Sequence, residues 1–241
     1  MNKQAINYYE NLLENTGYIA KCAGFIMYTE KGKILKNHLE NELKKAMFSC
    51  NIKEVEFPSI IDYNSLDLPD IIKRGRLSQC FHLELSNKKD ICLIHTGEEL
   101  ASNYFSCKKE KEIGVFQIKS KFRYEKSENL FRKTEFTMLD AYFMELSSYY
   151  STYKKIVSSL IKTMQKFGVK YKLGDYYKHD NFNILSQELF CLIEPNKWIE
   201  VGHFFKLGKT YNTPGYFSSY GIGIDRLFSC VALQKIKGHV I

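Results

Sequence analysis

The chain has 241 residues, 44% of them hydrophobic, and a formal net charge of +8. This length suits a single domain over residues 1–241, with apolar content enough for a sizeable core. No apolar run approaches the roughly 20 residues of a membrane helix, and the start, MNKQAINYYENLLENTGY, lacks the apolar stretch of a secretion signal, so a cytosolic protein with no membrane partner is expected.

Seven cysteines (Cys22, Cys50, Cys80, Cys92, Cys107, Cys191 and Cys230) include no C-x-x-C pair. That argues against a zinc ribbon and a disulfide framework, and predicts reduced, mostly buried thiols. The six histidines are scattered, with no two spaced as metal ligands, so no metal site is expected from the protein alone. The positive balance permits a polyanionic partner such as tRNA. An evenly spread set of lysines with no long basic run is also what an ordinary solvated surface carries.

In chain order, residues 1–16 read as a helix ending at Gly17, a C-cap residue, and 18–28 as a strand or extended arm. Leu35, Leu39, Leu43, Ala46, Met47 and Cys50 recur at helical spacing and predict a helix over 33–50. A strand over 52–57 closes at Pro58, and 59–80 reads as loop and short helix. FHLEL at 81–85 and DICLIHT at 90–96 read as a hairpin turning at Asn87. A short helix opens at Gly97, with Thr96 placed as N-cap and Glu98 as a first-turn acid.

Residues 117–140 read as two strands joined by a charged loop. Alternation puts Lys121, Arg123 and Glu125 on one side of the first strand, and Phe136, Met138 and Asp140 on one side of the second. Such a face is either the solvated side of an amphipathic hairpin or a floor for a nucleotide, because buried charges need partners or ligands. A helix over 148–167 carries a stripe from Tyr149 to Phe167, ends at Gly168, and turns its tyrosines to the core. Strands follow near 169–173, 187–194 and 198–207. The run Tyr220-Gly221-Ile222-Gly223-Ile224-Asp225-Arg226-Leu227 is either a tight strand-to-helix turn or a place where a ligand approaches the backbone.

Phe122-Arg123-Tyr124-Glu125, with Arg132 and Glu135-Phe136, resembles motif 2 of the class II aminoacyl-tRNA synthetases. The wider string from Gln117 to Tyr142 is similar to the prolyl branch. The helix, strand and Pro58 resemble motif 1, and Gly75-Arg76 the Gly-Arg that follows. Gly221-x-Gly223-x-Asp225-Arg226 resembles motif 3, Thr96-Gly97-Glu98 the prolyl Thr-x-Glu loop, and Ile199-Glu200-Val201-Gly202-His203 the strand before motif 3. The likeness covers about residues 18–236. It implies an α+β fold, a class II antiparallel sheet flanked by helices, with neither the editing nor the anticodon-binding domain. Arg123 would bridge the ATP α-phosphate and the amino-acid carboxylate. Glu125 would hold the adenine amino group and Phe136 would stack on adenine. Arg132, Lys133 and Asp225 would join the ATP site, and Arg226 would meet the γ-phosphate.

Thr96, Glu98, Arg123, Gln187 and His203 would hold the amino acid. Glu98 and Thr96 keep their reading as helix start, and His203 its reading as a core residue, beside these roles. The family carries a second Arg where this chain has Thr134, and a His where it has Gln187. The longer, neutral Gln187 predicts a more polar pocket wall, and so weak use of proline or preference for a related small amino acid. The implied reaction is ATP- and Mg²⁺-dependent aminoacyl-adenylate formation in a homodimer with Pro58 at the interface. The acceptor would be tRNA, a carrier protein or a small molecule. The alternative is a non-catalytic paralogue that binds an amino acid or regulates.

Overall fold

The computed structural model describes residues 3–23, 25–66, 77–78, 80–84, 91–108, 110, 112–124, 129–146, 151–179, 184–209, 211 and 213–238. Glu125, Gly75, Arg76 and the turn at Asn87 lie outside them.

Strands alternate their side chains and helices repeat every 3.6 residues, and both periods are used here to fill one sheet on two faces. Among the described residues the sheet has eight strands in the order β3-β6-β7-β12-β11-β10-β8, with β9 also paired to β10. These are β3 Lys53–Glu54, β6 Ile113–Phe122, β7 Glu135–Glu145, β8 Tyr171–Leu173, β9 Tyr177–His179, β10 Ile184–Glu194, β11 Lys197–Gly208 and β12 Tyr216–Gly223. Among the described strands only β3 runs parallel to its neighbour, and the other pairings are antiparallel. Small two-stranded sheets join β1 Ile19–Cys22 to β2 Phe25–Tyr28, and β4 Ile60–Asp62 to β5 Ile91–Leu93.

One face is covered by four helices: α1 Lys3–Asn15, α2 Glu30–Ser49, α4 Ser151–Lys166 and α5 Ile224–Ile236. Their stripes meet Phe116, Leu139, Ala141, Leu189, Val201, Phe204, Tyr220 and Ile222 of the sheet. Tyr153 in the α4 stripe is fully buried, as its spacing predicts. Helix α5 is buried on nearly all sides, the expected state of a helix apolar all round. The other face carries α3, Glu98–Ser106, whose Ala101 and Phe105 pack on Val115, Tyr142, Met144 and Phe217. Among the described residues no helix is long and apolar enough to cross a membrane.

Three local differences from the sequence reading have physical causes. Helix α2 begins at Glu30 because the Thr29 hydroxyl accepts the Gly32 amide at 3.1 Å, a side-chain cap upstream of the first apolar repeat. The N-cap of α3 is Gly97, with no side-chain cap bond, so Thr96 does not cap this helix. The strand over 52–57 shortens to two residues: beyond the Val55 amide on the Phe116 carbonyl, the Phe57 amide bonds the Gln117 side chain at 3.1 Å and the chain leaves the ladder.

Candidate active site

Register decides which side chains meet. Strands β6 and β7 pair Gln117 with Asp140, Lys119 with Met138 and Lys121 with Phe136. Strands β7 and β12 pair Asp140 with Gly221 and Tyr142 with Ser219. Strand β11 sets His203 opposite Gly221 and Phe205 opposite Ser219, and β10 sets Glu188 and Ser186 opposite the same two. Residues opposed in an antiparallel pair share a face. The result is one polar row across five strands, on the face that α3 covers. Gly221 lies in this row; a Cβ there would come within 2.2 Å of the Met138 methyl. Within the row Lys121 and Asp140 form a fully buried ion pair at 2.6 Å. Each satisfies the charge that burial would otherwise penalise.

At one end stands Glu98, 6% exposed. Its Oε2 accepts from the Tyr211 hydroxyl at 3.0 Å and its Oε1 from Ser219 at 2.8 Å. These two bonds fix the orientation of the Glu98 carboxylate at this end of the row. The Gly97 amide donates to the Tyr142 hydroxyl at 2.9 Å, with Thr96 beside it. Burial, with Asp140 and Glu98 beside it, pushes the Tyr142 hydroxyl well up, so it stays protonated. Tyr211 and Ser219 carry no motif signal; only the fold brings them to Glu98.

At the other end are the arginines. The Arg123 guanidinium lies over the Phe136 ring, 5.3 Å from its centre. Arg226 donates from Nε to the Phe131 carbonyl at 2.8 Å and from Nη1 to the Glu200 carbonyl at 3.3 Å. This ties the loop before β7 to the first turn of α5. Arg226 also lies 3.9 Å from the Glu200 carboxylate. Burial, then Glu188, raises the Glu200 carboxyl, while Arg226, Arg123 and Arg132 act against it. Arg226 thus lies against Glu200, and the charges of Arg123 and Arg132 act on the same acid, which the motif string includes without a role of its own.

Glu200 and His203 share a face through an irregularity. Strict alternation puts residues three apart on opposite faces. Between Leu189/Gly202 and Phe190/Glu200 the register shifts, leaving Val201 as the extra residue of a bulge. Among the described residues Glu188, Glu200 and His203 bring three metal-type donors within 4.8 Å of one another. Of these donors, the two carboxylates are the oxygen ligands that a divalent cation held with a polyphosphate takes, and Arg226 lies beside them. The Tyr177 hydroxyl reaches into this group, donating to Glu188 at 3.0 Å and lying 3.1 Å from His203 Nε2. His203 stacks on Phe205 with ring centres 3.9 Å apart.

Three predicted residues stand apart from the row. Gln187 pairs with Phe204, whose ring is in the helix-side core, and its amide donates to the Gly174 carbonyl at 2.9 Å. It points to the face opposite Glu188 and His203. Lys133 donates to the Tyr28 hydroxyl at 3.1 Å and lies over that ring. Asp225, 5% exposed, accepts from the Tyr28 hydroxyl and the Thr137 amide and pairs with Lys36 at 3.2 Å.

This architecture, an antiparallel sheet with helices on one face and a charged row on the other, is the fold of a class II aminoacyl-tRNA synthetase core. More particularly, the chain resembles prolyl-tRNA synthetases. Solved structures with this fold include the Giardia lamblia prolyl-tRNA synthetase in complex with prolyl-adenylate (TM-score 0.76, 14% identity, 93% of this chain and 52% of that one). The Cryptosporidium parvum enzyme complexed with halofuginone and AMPPNP also matches (TM-score 0.76, 11% identity, 95% and 54%), as does the M. kandleri SerRS in complex with A. aeolicus tRNASec (TM-score 0.75, 14% identity, 94% and 56%). Curated relatives include a probable mitochondrial proline–tRNA ligase of Schizosaccharomyces pombe, 25% identical over 95% of this chain and 69% of that protein. Proline–tRNA ligases of Legionella pneumophila are 26% identical over 67% of this chain and 30% of theirs. The chain thus spans about half the length of the solved structures. No protein-family model matches it.

Proposed function

We propose that the chain activates an amino acid with ATP, forming an aminoacyl-adenylate and pyrophosphate, and passes the aminoacyl group to tRNA, a carrier protein or a small molecule. The observation that carries this reading is the single sheet face with a hydrogen-bonded buried carboxylate, Glu98, at one end and arginines gathered at the other. Glu98, with Thr96, holds the substrate ammonium. Arg123 reaches the carboxylate and the α-phosphate together, which its forked donors allow. Phe136 offers a ring to adenine, and Glu125 an acceptor for its amino group. Arg226 and Arg132 take the outer phosphates. One carboxylate oxygen attacks the α-phosphorus, the bond to the bridging oxygen breaks, and pyrophosphate leaves with that electron pair. Such catalysis is mostly positioning and charge stabilisation. Glu188 and Glu200 would hold Mg²⁺ at the phosphates, where it would supply positive charge. Lys133 and Asp225 serve the site by fixing α5 and the start of β7.

A pyrophosphate-exchange screen over the amino acids tests this, with proline and small relatives expected to give signal. Calorimetric ATP binding with no exchange for any amino acid would favour the non-catalytic paralogue instead.

The position of Gln187 changes the expectation for selectivity. Gln187→His should leave the ranking of proline against alanine, serine, threonine and cysteine unchanged. It should lower stability by about 1–3 kcal/mol, since the Gly174 carbonyl loses its buried donor. A shift in ranking without loss of melting temperature would return Gln187 to the pocket.

We also propose a two-fold homodimer through α2 and the segment at Pro58. Ile34 and Phe48 on α2 are 65% and 53% exposed, Ile60 is 51% exposed, and Pro58 lies exposed beside it. These exposed apolar side chains lie on the elements that resemble motif 1, which builds the dimer interface in that family. Sedimentation at micromolar concentration should give twice the chain mass, and Phe48→Glu with Ile34→Glu should give the monomer. A wild-type monomer overturns it.

A further inference from the structure

Tyr177 belongs to none of the motifs that carry the family resemblance, yet its side chain reaches the polar row. Strand register delivers it there. Strand β8 pairs Tyr171 with Cys191 and Leu173 with Leu189, and β9 pairs Tyr177 with Ser186 and His179 with Ile184. Between these stretches Gly174, Asp175 and Tyr176 stand against only Gln187 and Glu188, so this side of the ladder carries one extra residue. Uninterrupted pairing would set Tyr176 opposite Ser186. With the extra residue Tyr177 takes that place and shares the face of Ser186, while Tyr176 turns to the helix side, its ring 6.1 Å from that of Tyr153. Two bonds hold the offset: the Gly174 amide donates to the Glu188 carbonyl at 2.8 Å, and the Gln187 side chain to the Gly174 carbonyl at 2.9 Å. Gln187, outside the row, thus anchors the segment that carries Tyr177.

The Tyr177 hydroxyl has one hydrogen and donates it to Glu188 Oε1 at 3.0 Å. It also lies 3.1 Å from His203 Nε2. With its hydrogen committed to the carboxylate it can only accept there, so Nε2 carries the ring proton. The other ring nitrogen, Nδ1, is 3.7 Å from Glu200 Oε1. One hydroxyl therefore sets both the rotation of the Glu188 carboxylate and the tautomer of His203. The rings pack as well: Tyr177 and His203 have centres 6.1 Å apart, and His203 stacks on Phe205.

Glu188 and His203 are opposed across β10 and β11, and the bulge at Val201 adds Glu200 to the same group. Two carboxylates brought together repel, and each is free to rotate about its last bond unless a donor pins it. Carboxylates that ligate a cation are themselves held by outer hydrogen bonds, and loss of such a partner costs about 10–100-fold in metal affinity. Tyr177 is the outer partner of Glu188. It is 39% exposed, on the open side of the group and outside the core, so its hydroxyl matters to the arrangement of the site more than to the stability of the fold.

We propose that Tyr177 is a positioning residue for the phosphate end of the site: its hydroxyl holds the Glu188 carboxylate and the His203 imidazole in the arrangement that receives the divalent ion with ATP. This rests on the reading of Glu188 and Glu200 as the ligands of that ion. It gives a role to a residue of β9 that no motif marks, and to Gln187 as the anchor behind it.

The test uses the full chain and Mn²⁺ as the probe ion, titrated with ATP and no amino acid. Water-proton relaxation separates ion held on the protein from ion on free ATP. Tyr177→Phe keeps the ring and removes the hydroxyl. It should weaken Mn²⁺ binding by about 10–100-fold at unchanged melting temperature. Its pyrophosphate exchange should fall at low Mg²⁺ and recover at high Mg²⁺, with the KM for the amino acid as in wild type. A second measurement needs no ion: in the chain labelled with ¹⁵N-histidine, His203, assigned by its loss in His203→Gln, should show the Nε2-protonated ring in wild type and a changed tautomer balance in Tyr177→Phe. Mn²⁺ held by wild type and lost in Glu188→Gln, yet held as tightly by Tyr177→Phe, overturns the role of Tyr177 alone. Mn²⁺ binding that Glu188→Gln leaves untouched, or none in wild type, removes the reading of the ligands and this role with it. A changed ranking of amino acids at unchanged Mn²⁺ affinity would make Tyr177 a pocket wall instead, and an identical His203 spectrum in both proteins would show that the hydroxyl does not set the ring.

Discussion

Arg123→Ala is expected to lower pyrophosphate exchange by about 10²–10³-fold, or about 2.7–4 kcal/mol of transition-state stabilisation. Arg123 faces both reacting groups in the proposed reaction, so its removal leaves the α-phosphate charge and the substrate carboxylate without their shared donor. The fold should survive, because the side chain is partly exposed and rests on Phe136 rather than in the core. Arg123→Lys should recover little: an ammonium is a point charge and cannot make two parallel bonds. Exchange rates beside melting temperatures decide the matter. A rate within a few-fold of wild type, at unchanged melting temperature, removes Arg123 from the chemistry.

Much of this site was legible because hairpin register carries sequence alternation into space. Alternation put Lys121 and Arg123 on one side of the first strand and Phe136, Met138 and Asp140 on one side of the second, and the observed register brings those two sides onto one face. The helix stripes were legible for the same reason, and so were the ends at Gly17 and Gly168, both at positive φ. The sheet order was not: β12 lies between β7 and β11 although α4, β8, β9 and β10 intervene in the chain. Only the resemblance to a known fold could supply that order.

What the residues alone could not disclose turns on two physical features. The first is the bulge at Val201, which reverses parity and puts Glu200 beside His203. Without it, alternation assigns them to different faces. Gln187 shows the converse: its place in a Ser-Gln-Glu string pointed to the pocket, but simple alternation in β10 sends it to the helix side while Ser186 and Glu188 face the row. The second is long-range pairing of polar groups. Tyr211 and Ser219 reach Glu98 across more than a hundred residues, and no local pattern encodes that.

Asp225 illustrates why a motif residue can matter without touching substrate, and Asp225→Asn is expected to lower stability by about 3–5 kcal/mol, the cost of breaking a buried ion pair by removing one partner. Lys36 would keep its charge at 7% exposure with its carboxylate partner gone, and the Thr137 amide would face a weaker acceptor. Burial alone would raise the Asp225 carboxyl; Lys133 and Lys36, then the Tyr28 hydroxyl and the Thr137 amide, outweigh it and hold it below the ordinary range. The sign of the pH dependence follows from that lowering. Ionised Asp225 stabilises the native state fully above the unfolded value of about 3.9, and the contribution fades as pH falls through the lower native value. Wild type should therefore lose stability on acidification below about pH 4 more steeply than Asp225→Asn, whose difference from wild type shrinks there. Because Asp225 and Arg226 are adjacent in the first turn of α5, the variant should also weaken exchange through a looser Arg226. Denaturant midpoints at neutral and acid pH measure both parts. A loss below about 1 kcal/mol at neutral pH, or a gap that widens in acid, would show that the clamp does not hold the helix.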